Sequence, residues 1–173
     1  MLRSSSRRTA ILAIAIIAAS LLGARAGISG QLPKEPIKFS VQASQPDRPL
    51  KPGDTFNLQL TARIEDGWHL YSTDQAEGGP TPTRIVIPDG QPFEQAGKLE
   101  SPEPKTIMDP NFNLMTEYYE GEATFTIPVK VGPSAVPGKA EVKVNVSFQT
   151  CNDELCLPPK TVKLSAEINL AAR

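Results

Sequence analysis

Apolar and polar side chains alternate along most of the chain beyond residue 36. In residues 55–64 every second side chain, from Phe56 to Ile64, is apolar, and its neighbours are Thr, Asn, Gln and Arg. A period of two is expected when one face of a β-strand packs on a core and the other faces water. The same alternation occurs in residues 37–42, 123–129, 142–148 and 162–170. These segments are predicted to be strands, the first of them at a sheet edge.

Two shorter segments, residues 68–71 and 83–87, are also predicted to be strands, and Pro and Gly separate most of the predicted elements. No window after residue 26 has the 3.6-residue period of an amphipathic helix. Seven or eight short strands predict an all-β fold, and we expect an immunoglobulin-like antiparallel β-sandwich. A β-barrel is the alternative that the pattern does not exclude.

Residues 101–119, SPEPKTIMDPNFNLMTEYY, interrupt the alternation. Three prolines occur among several apolar side chains, namely Ile107, Met108, Phe112, Leu114 and Met115. We expect an irregular loop that either folds these side chains onto the core or covers a site, as long loops in small domains often do. Tyr118 and Tyr119 are expected on alternate faces of a strand, with one ring in the core.

The first 26 residues have the three regions of a secretory signal peptide. Residues 1–8 are basic, residues 10–22 are almost wholly apolar, and Ala24 and Ala26 provide small side chains for cleavage after Ala26. About 13 apolar residues are too few to cross a bilayer, which takes roughly 20. We expect residues 1–26 to be removed, residues 27–34 to be flexible and residues 35–173 to form the domain. The Sec and twin-arginine export routes both stay open.

Charge excludes two classes of partner. Of the 18 basic residues, four lie in the signal peptide, which leaves 14 against 19 acidic residues and a net charge of −5. Nucleic acids and anionic lipid surfaces both require clustered Lys and Arg. With its expected signal peptide, the chain is therefore predicted to be a soluble periplasmic protein with no nucleic-acid partner and no stable membrane insertion. We expect it to be a monomer.

Cys151 and Cys156 lie between two predicted strands and are separated by four residues. Residues 152–155 can form a hairpin connection, which brings opposed Cβ atoms to about 4.5 to 5.5 Å, close to the separation that a disulfide requires. By the chain-entropy formula, a bridge that closes six residues stabilises a fold by about 2 kcal/mol, against almost 5 for one that closes about 100. A bridge between residues so close in sequence adds little to the stability of the fold, which favours an exchangeable pair over a purely structural one.

The charges near the pair indicate how its chemistry runs. Asp153 and Glu154 lie in the connection and disfavour a thiolate, while Lys160 is the nearest cation in sequence. The pair is therefore better suited to being attacked as a disulfide than to acting as an activated nucleophile. A copper or zinc site built from both cysteines and the sole histidine, His69, lacks the ligand spacing of such sites. No cofactor and no metal ion are expected.

Three segments together resemble a known family. FQTCNDELCLPPKTVKL, DGWHLYS and TEYYEGEATFTIPVKV are similar to the amino-terminal periplasmic domain of the thiol:disulfide interchange protein DsbD, over about residues 35–170. The Cys-loop-Cys followed by two prolines is the most specific part. The resemblance implies an immunoglobulin-like domain, here in a free-standing version, that relays electrons as a protein-disulfide oxidoreductase. It implies a thioredoxin-like or membrane thiol reductase as the electron donor, and periplasmic disulfide proteins and cytochrome c maturation proteins as acceptors.

The resemblance also implies roles for individual residues. Cys156 forms the mixed disulfides with partners and Cys151 resolves them. Phe112 matches the aromatic tip of a cap that shields the pair, and aromatic positions near the site correspond to Trp68, His69 and Tyr71. Trp68 is equally well explained as the core tryptophan of an immunoglobulin-like strand. The alternative function is a non-catalytic envelope binding or chaperone-like module whose hairpin disulfide is only structural.

Overall fold

The computed structural model describes residues 35–172. In this part of the chain there are eleven β-strands and no α-helix. The strands are β1 (Ile37–Ser44), β2 (Thr55–Ile64), β3 (His69–Tyr71), β4 (Arg84–Val86), β5 (Phe93–Gln95), β6 (Lys105–Asp109), β7 (Leu114–Tyr119), β8 (Glu122–Val131), β9 (Gly138–Phe148), β10 (Thr150–Cys151) and β11 (Lys160–Leu170).

Two antiparallel sheets form the sandwich, and every strand predicted from clear alternation lies in one of them. The first has the order β1-β2-β8-β5, with β1 at an edge as expected, and the second has the order β11-β9-β4. Side chains at every second position of β2, β8, β9 and β11 point inward and share one core, because successive side chains of a strand point to opposite faces. The fold is an immunoglobulin-like β-sandwich, as the alternation predicts.

A third antiparallel sheet, in the order β10-β3-β7-β6, has two different faces. Leu70 and Tyr119 are opposite each other in the register and belong to the main core. Tyr71 and Tyr118 form the next pair, so they lie on the other face, where they form a separate cluster with Cys151. We call this second surface the site face, since it carries the cysteine pair.

The expectation of an irregular loop in residues 101–119 is wrong. This segment forms the hairpin of β6 and β7, in which Ile107 pairs with Thr116 and Met108 with Met115. Four of the five β6 residues are exposed, so neither face of that strand has the apolar stripe by which a strand is recognised in sequence. The expectation for the two tyrosines is confirmed, because they lie on alternate faces and one of them, Tyr119, enters the main core. Tyr118 is buried as well, in the second cluster.

The expected signal peptide, residues 1–26, and the expected flexible segment, residues 27–34, both lie outside the described residues. Within residues 35–172, no helix is long and apolar enough to span a membrane.

Candidate functional site

The two cysteines are joined by a disulfide bond across a tight turn. Cys151 ends β10 and forms an antiparallel bridge with Cys156, and their Cα atoms are 4.1 Å apart. The Asn152 side chain shapes the turn, because its Oδ1 accepts hydrogen bonds from the N–H groups of Glu154, at 2.9 Å, and Leu155, at 2.7 Å. Asn is suited to this position since its short side chain can bond the backbone two residues on. The bridge predicted from sequence spacing is confirmed.

The two cysteine residues differ in solvent exposure. Cys151 is 0% exposed and packs with Tyr71 and Tyr118, whereas Cys156 is only partly buried. A protein thiolate approaching from solvent therefore meets Cys156 first. This asymmetry follows from position, because Cys151 belongs to a strand of the sheet and Cys156 lies just beyond the turn.

Register brings aromatic rings together beside the bridge. His69 lies opposite Cys151, and Tyr71, two residues further along β3, lies opposite Tyr118. The His69 ring centroid is 5.0 Å from that of Tyr71 and 4.9 Å from that of Tyr118. The Phe112 ring meets the edge of Tyr71, with centroids 6.0 Å apart. These rings form an apolar wall next to the sulfur atoms.

A buried carboxylate lies against this wall. Asp109, at the end of β6, is 1% exposed, and its Oδ2 accepts a 2.6 Å hydrogen bond from the Tyr71 hydroxyl. Its Oδ1 accepts a hydrogen bond from the backbone N–H of Asn111 at 2.8 Å. Because the hydroxyl hydrogen of Tyr71 is directed to Asp109, the hydroxyl oxygen can accept from Nε2 of His69, 3.2 Å away. The result is a chain of hydrogen bonds from the imidazole to the carboxylate.

The surroundings shift the pKa values of all three groups. Burial raises the pKa of Tyr71 strongly, and the Asp109 carboxylate that accepts its hydrogen bond raises it further. Burial lowers the pKa of His69, although nearby carboxylates oppose this, so the ring is neutral at pH 7. Burial acts to raise the pKa of Asp109, but the hydrogen bond from Tyr71 and those from two backbone N–H groups outweigh it and lower the pKa. Asp109 is therefore a carboxylate at neutral pH.

The turn between β6 and β7 places Phe112 over the cluster. The backbone carbonyl of Asp109 accepts a hydrogen bond from the N–H of Asn113, and Asn113 has a φ of 53°, a left-handed conformation that Asn tolerates better than most residues. Phe112 packs against the cluster of Tyr71, Tyr118 and Cys151. The Asn111 side chain donates a 3.1 Å hydrogen bond to the carbonyl of Asn152, which joins this turn to the turn between the cysteines.

The structure therefore brings together most of the residues singled out from sequence. His69, Tyr71 and Phe112 lie around the cysteine pair. Trp68 instead packs against the main core, as expected if it is the core tryptophan of an immunoglobulin-like strand. Lys160, the nearest cation in sequence, forms a 2.6 Å ion pair with Glu35. The sequence pattern does not mark Asp109 as a site residue. Its only local signal is the Asp-Pro-Asn run, which is typical of a turn.

Chemically, the arrangement suits exchange at a disulfide. Cys156 is the more exposed of the two cysteines, so a thiolate from solvent would attack there, and Cys151, buried among aromatic rings, would then be the leaving group. Thiol–disulfide exchange requires an accessible sulfur and a partner thiolate, and it requires no cofactor.

Comparison with known proteins agrees with this chemistry. The family model for the N-terminal part of the thiol:disulfide interchange protein DsbD matches residues 34–167. None of the curated proteins compared matches the chain significantly.

Among solved structures, the N-terminal periplasmic domain of ScsB from Proteus mirabilis is similar, with a TM-score of 0.51 and 17% identity over 81% of this chain and 49% of that chain. The present chain thus spans about half the length of that domain, and the likeness shows a shared fold. A family 123 glycoside hydrolase from Clostridium perfringens matches with a TM-score of 0.30 and 12% identity, over 78% of this chain and 28% of that chain, and a likeness this weak implies nothing further. The family match extends over most of this chain. The chain therefore belongs to the family of the N-terminal domain of the thiol:disulfide interchange protein DsbD.

Proposed function

We propose that this protein relays electrons in the periplasm by reversible thiol–disulfide exchange at Cys151 and Cys156. The observation that carries the proposal is the place of the bridge, at the end of a short strand and outside the main core, with one of its two cysteines partly exposed. Membership of a thiol:disulfide interchange family supports the same chemistry. The expected signal peptide supports export to a compartment in which disulfides form.

The fold does not depend on the bridge. The two sheets of the sandwich bury their side chains in a core that contains neither cysteine. Opening a bridge that closes six residues removes about 2 kcal/mol of stability by the chain-entropy formula. A domain of this size buries enough apolar surface to tolerate that loss. The protein is therefore expected to remain folded in both redox states, as a relay must.

The exchange has two balanced steps in each direction. A donor thiolate attacks Sγ of Cys156, a mixed disulfide forms, the Cys151–Cys156 bond breaks, and Cys151 leaves as a thiolate that takes up a proton. The second thiol of the donor then attacks the mixed disulfide, which releases Cys156 and leaves the donor oxidised. In the opposite half of the cycle, Cys156 attacks an acceptor disulfide and Cys151 resolves the product.

The partners follow from this chemistry. A thioredoxin-like protein or a membrane thiol reductase is the proposed electron donor, because each presents a pair of thiols. Periplasmic proteins with exposed disulfides are the proposed acceptors. The chain is proposed to act as a monomer, so that the site face stays open to one partner at a time.

The first test is whether the pair is a reversible couple. After equilibration in glutathione or dithiothreitol buffers of graded ratio, counting of free thiols should show two thiols that appear together in the physiological range of potential. Circular dichroism should show little loss of fold on reduction. A bridge that is reduced only after the protein unfolds would contradict the relay and would favour the binding module with a structural disulfide.

A second prediction concerns Phe112 as a cap. In the reduced protein, Phe112→Ala should make Cys156 react with iodoacetamide roughly fivefold faster, because the ring no longer shields the sulfur. The rate is measured by mass spectrometry of quenched samples. In denaturant, the variant and the unchanged protein should react at the same rate. An unchanged rate in the folded state would show that Phe112 has no shielding role.

A further inference from the structure

Exposed apolar side chains belong to two of the segments around the bridge. Ile107 of β6 is 44% exposed, and Leu155, in the turn between the cysteines, is 46% exposed. Ile107 shares the site face with Tyr118, because its register partner Thr116 lies two residues from Tyr118 along β7. Three strand spacings separate β10 from β6, a width of roughly 14 Å. We call the surface formed by Ile107, Phe112, Leu155 and Cys156 the docking face.

Carboxylates surround this surface. Asp109 of β6, Glu120 after β7 and Asp153 of the cysteine turn all act on His69, whose pKa they raise against the larger effect of burial. Glu120 and Asp153 also act on Tyr118. These three acidic residues come from three separate segments and converge beside the bridge.

Positive charge near the docking face is largely compensated. Lys105 faces the same surface and forms a 2.5 Å ion pair with Glu120. His69 is neutral at pH 7, since burial lowers its pKa. Because Lys105 and Glu120 neutralise each other, the uncompensated negative charge beside the docking face comes from exposed Asp153 and from buried Asp109.

We propose that the electron donor is a protein whose reactive cysteine lies in an apolar patch with cationic side chains beside it. This inference rests on the proposed function. The attacking group is a thiolate, so it brings one more negative charge towards Asp109 and Asp153, neither of which has a cationic partner as close as the one Glu120 has in Lys105. Lys or Arg beside the donor cysteine offsets that repulsion, and an apolar contact on Ile107 and Leu155 excludes water from the exchange.

The test uses two short acetylated peptides, each with one cysteine and one phenylalanine. The cysteine is flanked by lysines in one peptide and by glutamates in the other. The rate of mixed-disulfide formation is measured by acid quench and mass spectrometry, and is expressed per thiolate from each peptide's own thiol pKa. Rates with the neutral bis(hydroxyethyl) disulfide serve as the reference for intrinsic reactivity. The lysine peptide should react about tenfold faster than the glutamate peptide at low salt, relative to that reference.

Salt and substitutions identify the source of the preference. The ratio of the lysine-peptide rate to the glutamate-peptide rate should fall towards one at about 1 M salt, where the Debye length is only about 3 Å. Asp153→Asn and Glu120→Gln should each reduce the ratio, whereas Glu167→Gln, a matched change at an exposed position of β11, should leave it unchanged. Ile107→Ser should slow both peptides by a larger factor than it slows mercaptoethanol, which is too small to contact that side chain.

The outcomes separate this inference from the proposed function. Equal rates for the two peptides, with normal exchange by dithiothreitol, would overturn the cationic donor and leave the relay intact. A faster glutamate peptide would overturn it as well. No exchange with any thiol, dithiothreitol included, would overturn the relay and this inference together.

Discussion

The reduced Cys151→Ser variant is expected to react about 100 times faster with dithiodipyridine than the reduced Cys156→Ser variant. The remaining thiol of the first variant, Cys156, is partly exposed, whereas that of the second, Cys151, is 0% exposed and lies among aromatic rings. Reaction at Cys151 requires a local opening, and an opening of roughly 3 kcal/mol corresponds to a factor of about 100. Stopped-flow absorbance of the released thiopyridone gives both rates.

The same pair of variants identifies partners. Cys151→Ser should accumulate stable mixed disulfides with envelope proteins through Cys156, because the resolving thiol is missing. Cys156→Ser is the matched control and should accumulate few. In denaturant the two variants should react with dithiodipyridine at similar rates. Equal rates in the folded state would show that burial does not distinguish the two sulfur atoms and would remove the assigned order of attack.

Tyr71→Phe is expected to destabilise the protein by about 2 kcal/mol at pH 7. Tyr71 and Asp109 are both buried, and the substitution removes the hydroxyl that donates a 2.6 Å hydrogen bond to the Asp109 carboxylate. Hydrogen bonds to charged groups contribute about 1.5 to 3 kcal/mol, and the Thr116 hydroxyl, 3.4 Å from Oδ2, is too distant to replace the lost donor. Denaturant unfolding followed by tryptophan fluorescence measures the change, since Trp68 packs against the core.

The effect of Tyr71→Phe should depend on pH. The folded protein lowers the pKa of Asp109, so ionised Asp109 contributes stability above the pKa of the unfolded chain, and this contribution is lost as pH falls through the folded pKa. Without the Tyr71 hydroxyl the folded pKa rises, and the difference between variant and unchanged protein should shrink to about 1 kcal/mol near pH 3. Tyr118→Phe is the control and should cost less than about 1 kcal/mol, because its neighbour Glu120 is exposed. A Tyr71→Phe effect independent of pH would contradict the assignment of its partner.

The sandwich could be predicted from sequence because its strands are each buried on one face. In β2 and β8 every inward position is apolar and most outward positions are polar. The alternation between buried and exposed positions is therefore visible in the sequence itself. The disulfide could also be predicted, since four intervening residues allow a turn to join adjacent strand positions. Both predictions depend on short-range rules that need no knowledge of distant contacts.

The β6–β7 hairpin and Asp109 could not be predicted in the same way. β6 lies at the edge of a small sheet with most of its side chains in solvent, so burial leaves no periodic mark on it. Asp109 is buried only because β3 places the Tyr71 hydroxyl next to it, 38 residues away in the chain. An ionisable residue buried through a long-range hydrogen bond has no local signature.

One exposed hydrogen bond joins the β6–β7 turn to the turn between the cysteines. The bond from Asn111 to the carbonyl of Asn152 is exposed, so water can replace it and its net contribution is about 1 kcal/mol. An outward movement of the β6–β7 turn would break this hydrogen bond and separate the Phe112 ring from Tyr71. It would leave the two sheets of the sandwich unchanged. We expect this turn to be the first part of the fold to yield when a protein docks beside the cysteines, because separating it costs little and leaves the core intact.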